Sequence, residues 1–188
     1  LPQDGVARRA LFERYAQVNP HLEDSFADPE QARRREALVR AVRGPRVLEV
    51  GCATGGITHY LHTQGIETVG VDLSFAMVSS APKGAWYVQA DAYRLPFRDA
   101  SFSTVLLPEI LEHLHDPLAA LAEATRVARE RVVISVPNGT VLDPTHVGVL
   151  DVEGIRALAS AVDGLQVEAV EDVSPFCVVT LRRTAVEA

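Results

Sequence analysis

Residues able to do polar chemistry recur at intervals through the first half of the chain. The hexapeptide Gly51-Cys52-Ala53-Thr54-Gly55-Gly56 follows a short apolar run. Glycine tolerates positive φ and lacks the Cβ that blocks close approach, so this turn can bring backbone N–H groups to a ligand. A helix starting there adds free N–H groups and a positive dipole end, which suit a phosphate or a carboxylate. Asp72 stands twenty-one residues beyond Gly51. That offset suits a carboxylate accepting hydrogen bonds from two ribose hydroxyls. Asp91 closes another apolar run, where a carboxylate can accept from an adenine amino group. Each feature alone has a plainer reading: a tight turn, a helix cap, a solvated loop acid. Ser74 fills the cap role better than Asp72 does, and the succession of all three points to a nucleoside ligand.

A second set of residues could move protons. His113, in Leu111-Glu112-His113-Leu114, has an ordinary pKa near neutrality and can act as a base. It can equally support its turn through a backbone bond. His146, after the run 131–136, reads either as a substrate-side residue or as a surface loop histidine. Tyr15 reads as part of a lid that excludes water or as core packing. His59 and His62 flank Tyr60 and are expected in solvent. Arg33, Arg34 and Arg35 lie in a helical pattern, and a solvated face is expected for them. Cys52 and Cys177 match no metal spacing, and no metal site is expected.

These residues need a scaffold, and the apolar pattern describes one. Two helical segments, 5–18 and 29–43, open the chain; Asp28-Pro29 is a cap followed by proline at the first helical position. Strands are expected at 46–50, 67–71, 86–90, 102–107 and 131–136, with helices at 55–64, 74–80, 118–128 and 151–162. Alternation of strand and helix implies parallel pairing with right-handed crossovers. The last two strands, 166–170 and 176–182, are joined by residues 171–175. That link is too short for a helical crossover, so the pair should be an antiparallel hairpin. The expected fold is α/β, a Rossmann-like doubly wound sheet of about seven strands, mostly parallel with one antiparallel strand, preceded by a helical lid. It reads as a single domain over 1–188, with a leader at 1–44 and a cofactor-binding core at 45–188.

Composition narrows the partners. Twenty-five acidic against eighteen basic residues give a net charge of −7. Broad binding to a nucleic-acid backbone relies on clustered Lys and Arg and is not expected. No apolar run approaches the roughly 18 to 20 residues that span a bilayer. The opening residues carry no signal-type apolar stretch, so a cytoplasmic protein with reduced thiols is expected. A monomer or a homodimer is anticipated.

Two cofactor classes fit the turn and Asp72. Gly51, Ala53 and Gly56 match a variant GxAxxG dinucleotide fingerprint. A nicotinamide enzyme also needs a substrate domain, for which these residues leave no room, and Asp91 is not part of its pattern. VLEVGCATGG, VGVDLS, ADAYRLPF and FSTVLLPEILEHLHDP followed by RVVISVPN resemble the class I S-adenosylmethionine (SAM)-dependent methyltransferases, in their small-molecule, type 11-like subgroup. The resemblance covers 46–138, about half of the chain.

It implies SAM as cofactor, S-adenosylhomocysteine (SAH) as product, and in-line transfer of a methyl group to a small-molecule acceptor. A SAM-binding protein without transfer activity, or an enzyme acting on RNA or protein, are the alternatives. By resemblance Glu49 is the acid of the first motif, and Gly51, Ala53 and Gly55, with Cys52 beside them, line the methionine part. Asp72 holds the ribose, and Leu73 packs by the adenine. Asp91 reads the adenine amino group and the Ala92 N–H its ring nitrogen. Pro108 and Glu109 lie near the sulfonium. Two positions depart from the pattern. Ser103 stands where the family often has a structural Asp. Ala53 replaces the usual second glycine, and its methyl group implies a slight shift of the ligand or a negative φ.

Overall fold

A computed structural model of the chain describes residues 5–18, 28–139 and 146–184. Two helices come first, α1 (Gly5–Val18) and α2 (Pro29–Ala41). Alternation follows: β1 (Arg46–Val50), α3 (Gly56–Thr63), β2 (Glu67–Asp72), α4 (Phe75–Ser80), β3 (Trp86–Gln89) and β4 (Phe102–Pro108). A 3₁₀ turn at Leu111–His113 leads into α5 (Pro117–Val127), β5 (Ala128–Pro137), α6 (Val152–Ser160), β6 (Leu165–Val173) and β7 (Phe176–Arg183). Tyr15 falls within α1, but its side chain lies outside the described residues.

The seven strands form one sheet in the order β3-β2-β1-β4-β5-β7-β6. β1 to β5 run parallel, and β7 is inserted antiparallel between β5 and β6. This is the expected doubly wound sheet with one reversed strand near an edge. The strand order reverses direction beside β1, between β1 and β4, which is where ligands of such sheets bind.

Both faces of the sheet are covered. On one, Ala37 and Leu38 of α2 and Ile57 and Leu61 of α3 pack on Val47, Leu106, Val133 and Val178. On the other, Leu121 and Ala124 of α5 and Ile155 of α6 pack on Leu48, Val105, Val132 and Val179. Two-sided burial explains why β4 is apolar or small throughout, and buried along its whole length.

Local signals set the helix starts. Asp28 accepts from the Glu30 N–H, Ser74 from Met77, Asp116 from Ala119 and Asp151 from Gly154. Gly65, at φ 80°, closes α3 in the left-handed conformation. Most boundaries fall within two residues of expectation, and two are displaced by three. β5 begins at Ala128 rather than residue 131, because Phe102 pairs with Ala128 across a register irregularity. Residues 171–173 are not a loop: Glu171, Asp172 and Val173 pair with Val178, Cys177 and Phe176, leaving only Ser174 and Pro175 to turn the chain.

Candidate active site

The turn after β1 is held by its neighbours. The Gly51 and Cys52 N–H groups both donate to the Val71 carbonyl, at 2.8 and 2.9 Å. Gly51 has φ 78°, and a Cβ there would come within 2.7 Å of Ile110 Cδ1. Gly55, at φ 82°, is the N-cap of α3, and a Cβ on it would overlap the Tyr87 ring. Ala53 also sits in the left-handed region, at φ 46°. The negative φ offered as one alternative for Ala53 is therefore not adopted. The position keeps a glycine's backbone because its N–H donates to Asp72 Oδ2 at 2.9 Å.

Asp72 joins two strand ends. Its Oδ1 accepts from the Ser74 N–H at 2.9 Å while Oδ2 holds Ala53. Burial pushes its carboxyl above the usual range, against the backbone N–H groups that favour the charged form. Leu73 is fixed beside it, its carbonyl accepting from Gln89 Nε2 at 2.9 Å. Asp91 Oδ1 accepts from the Tyr93 N–H at 3.1 Å, and Ala92 is buried next to it. Glu49 is buried and accepts a hydrogen bond from the Thr58 hydroxyl. Burial raises its pKa to about 7, although Thr58 and Arg34 favour the carboxylate.

Beyond β4 the backbone is strained. Glu109 has φ 50°, a conformation that costs a non-glycine residue of order 1 kcal/mol or more and marks sites where the surroundings over-determine the chain. Its N–H donates to the Ser135 carbonyl, and its carboxylate accepts from the Ser135 hydroxyl at 3.0 Å. Arg34 lies 3.6 Å from the same carboxylate and stacks over the Phe176 ring. Glu112 is only 3% exposed, and both carboxylate oxygens are buried without a hydrogen-bond partner among the described residues. Burial, then the neighbouring Glu109 charge, pushes it up to about 8. The His113 and His146 rings meet edge to face, with centroids 4.8 Å apart.

All these groups open on one cavity of about 910 Å³. Gly51, Cys52, Ala53, Asp72, Leu73, Asp91 and Ala92 border it, as do Glu49, Pro108, Glu109, His113 and His146. Gly55 stands just behind, buried and shaping the turn. The described residues named from the sequence for the cofactor and for proton transfer are thus gathered around a single space, whereas His62 is not among them.

Two expectations are corrected. Of the three arginines expected on a solvated face, Arg35 instead lines the cavity with its guanidinium over the Tyr60 ring, and Arg34 is turned to the buried acids with its side chain 15% exposed. Arg34 lies three and four residues before Ala37 and Leu38, so the apolar stripe of α2 carries it inward. His59 is not solvated either; it lines the cavity, with a buried Nδ1 that has no partner among the described residues. His62 is exposed, as expected. Sequence reasoning also missed Glu13. Its carboxylate accepts from the Phe75 and Ala76 N–H groups and from the Ser74 hydroxyl, capping α4 from α1. No local pattern around Glu13 signals a contact sixty residues away.

The donor set fits SAM. A cationic sulfonium and ammonium suit a cavity bordered by Glu49, Asp72 and Glu109, and the glycine turn leaves the space a Cβ would fill. The chain also matches known proteins. Residues 48–136 match the methyltransferase domain family. An O-methyltransferase of Aspergillus nomiae is 33% identical over 59% of this chain and 55% of its own length. The 27-O-demethylrifamycin SV methyltransferase of Amycolatopsis mediterranei is 27% identical over 83% of this chain and 70% of its own. Among solved structures, the cyclase SpnF has a TM-score of 0.80 at 16% identity, covering 95% of this chain and 96% of that one. The magnesium protoporphyrin IX methyltransferase of Synechocystis, solved with SAH bound, has a TM-score of 0.74 at 15% identity, covering 96% and 100%.

The sheet order, the match of residues 48–136 and the methyltransferase relatives agree: the chain is similar to the class I SAM-dependent methyltransferases in fold and in the motifs of that segment. The chain spans about half the length of the curated relatives it matches. No helix among the described residues is long and apolar enough to cross a membrane.

Proposed function

We propose that this chain transfers the methyl group of SAM to a hydroxyl oxygen of a small molecule held in the same cavity. The observation that carries the reading is the two-ended cavity. One end has the glycine turn, Asp72 and Asp91, and the other has Glu109, His113 and His146. When bound, SAM supplies a methyl group already activated by its sulfonium. The protein's own tasks are alignment and exclusion of water. Gly51, Ala53 and Gly55, with Cys52 and Glu49 beside them, hold the methionine part. Asp72, whose two oxygens are already anchored by Ala53 and Ser74, offers its remaining lone pairs to the ribose hydroxyls. Asp91 and the Ala92 N–H read the adenine edge, with Leu73 packed against it. Pro108 and Glu109 border the sulfonium.

The leader serves as a lid. Glu13 ties α1 to α4, while Gln31, Arg34 and Arg35 of α2 line the cavity. Tyr15 belongs to the same lid. His113 and His146 border the acceptor and orient or deprotonate it. The named O-methyltransferase relatives favour an oxygen acceptor over nitrogen or carbon.

Calorimetry with SAM, SAH and NAD, followed by a methyl-transfer screen on hydroxylated small molecules, tests this. SAM and SAH should bind and NAD should not. Asp72→Asn should weaken SAH by about 10- to 100-fold, the worth of a charge-assisted hydrogen bond. Absence of SAH binding would sink the reading. SAH binding with no transfer to any hydroxylated acceptor would leave a cofactor-binding protein that does not methylate oxygen.

A further inference from the structure

We propose that Glu112, His113 and His146 form a binding site for one divalent transition-metal ion at the acceptor end of the cavity. The proposal rests on the methyl-transfer reading only for the ion's role, not for its binding. Three observations converge. A carboxylate oxygen of Glu112 and one ring nitrogen from each histidine lie within 4.8 Å of one another. Ligand atoms sharing one ion at about 2.0–2.2 Å stand at most about 4.4 Å apart, so side-chain shifts of a few tenths of an ångström complete the set. Glu112 is 3% exposed, and neither of its oxygens has a partner among the described residues. A buried carboxylate left without a hydrogen bond is costly unless a cation or a proton satisfies it.

The third observation is how His146 reaches the site. It lies thirty-three residues beyond His113, yet the Val147 N–H donates to the Glu112 carbonyl at 2.9 Å. That backbone bond seats the second histidine against the first. Arg34 lies near enough to favour the Glu112 carboxylate, but its close ion pair is with Glu109, which also accepts from Ser135. Glu109 therefore stands beside the three ligands with its charge already offset.

Two imidazoles and one carboxylate suit Mn²⁺, Co²⁺ or Zn²⁺ better than Mg²⁺ or Ca²⁺, which favour all-oxygen sets. Three protein ligands leave coordination positions open on the cavity side. An ion there would hold an acceptor hydroxyl and lower its pKa. The proton leaves to solvent, the oxygen's electron pair forms the new O–C bond, and the pair of the breaking C–S bond goes to sulfur. His113 and His146 then act as ligands rather than as the base.

Co²⁺ is the probe, because its visible absorption reports coordination without any turnover. The full chain, freed of metal and saturated with SAH, should take up one Co²⁺ with Kd below about 100 µM and gain d–d bands. Glu112→Gln and His146→Ala should each weaken uptake by at least about 30-fold while SAH affinity and the far-ultraviolet circular dichroism stay unchanged. His62→Ala, on an exposed histidine of α3, should change nothing. No stoichiometric uptake, or uptake that both site variants leave intact, overturns the site. Uptake without SAH binding keeps the metal site and removes the methyl-transfer reading. SAH binding without uptake removes the metal site alone.

Discussion

Replacing Glu49 by glutamine should make the protein more stable at alkaline pH and leave it nearly unchanged in acid. Glu49 is fully enclosed beneath the cofactor turn, and burial is the largest cause of its rise from 4.5 to about 7. Its folded pKa is the higher one, so the folded state holds the proton more tightly than the unfolded chain. That stabilising contribution is whole below about pH 4.5 and is lost as pH rises to about 7. Completed, the loss is about 3 kcal/mol, at about 1.36 kcal/mol per tenfold change in proton affinity. Less than about a third of it has occurred by about pH 5, leaving about 2 kcal/mol between about pH 5 and pH 8. Glutamine keeps the shape and a hydrogen bond to Thr58 but does not titrate. Urea unfolding of the cofactor-free protein should therefore show the stability difference, variant minus parent, growing by about 2 kcal/mol from about pH 5 to pH 8. Measuring the difference cancels the other buried acids, Asp72, Glu109 and Glu112, whose pKa values are also raised. Parallel curves for parent and variant would refute the reasoning, since they would mean that water or a cation compensates Glu49 in the folded state.

Three further outcomes follow from the same geometry. Ala53→Gly relieves a left-handed alanine but frees the unfolded chain, so unfolding free energy should move by less than about 1 kcal/mol and SAH affinity by less than about tenfold, read by urea titration and calorimetry. Gly55→Ala places a methyl group against the Tyr87 ring at a positive φ; it should cost about 2 kcal/mol or more, and Tyr87→Ala should recover only the steric part in a double-mutant cycle. Arg34→Met removes the guanidinium from the buried acids; a loss of about 2–4 kcal/mol in urea unfolding at neutral pH is expected, and no loss would mean that Arg34 contributes only packing on Phe176.

The strand ends were legible for a physical reason. In a doubly wound sheet the carboxyl ends of successive parallel strands converge, so polar residues that each follow an apolar run must meet. Gly51, Asp72 and Asp91 could be read together without coordinates on that ground. The caps Asp28 and Ser74 were legible because capping is a contact between neighbours in sequence. Arg34 and His59 were misread because their immediate surroundings are polar, and only packing shows which way a helix turns them. The extension of β6 to Val173 was missed because the acids Glu171 and Asp172 read as turn residues, whereas an edge strand tolerates them.

The sequence by itself determined the order of strands and helices, the glycine turn, the acids at its strand ends and the reversed final strand. These follow from contacts within a few residues or from the parity of short connections. Tertiary structure alone decided that Ala53 takes a glycine's backbone, that Glu13 caps a helix sixty residues away, and that Arg34 enters the acid cluster. It also decided that His146 stands against His113 beside Glu112, whose carboxylate has no hydrogen-bond partner among the described residues. Each of these depends on a hydrogen bond or a packed face contributed from far along the chain, and no local pattern encodes such a partner.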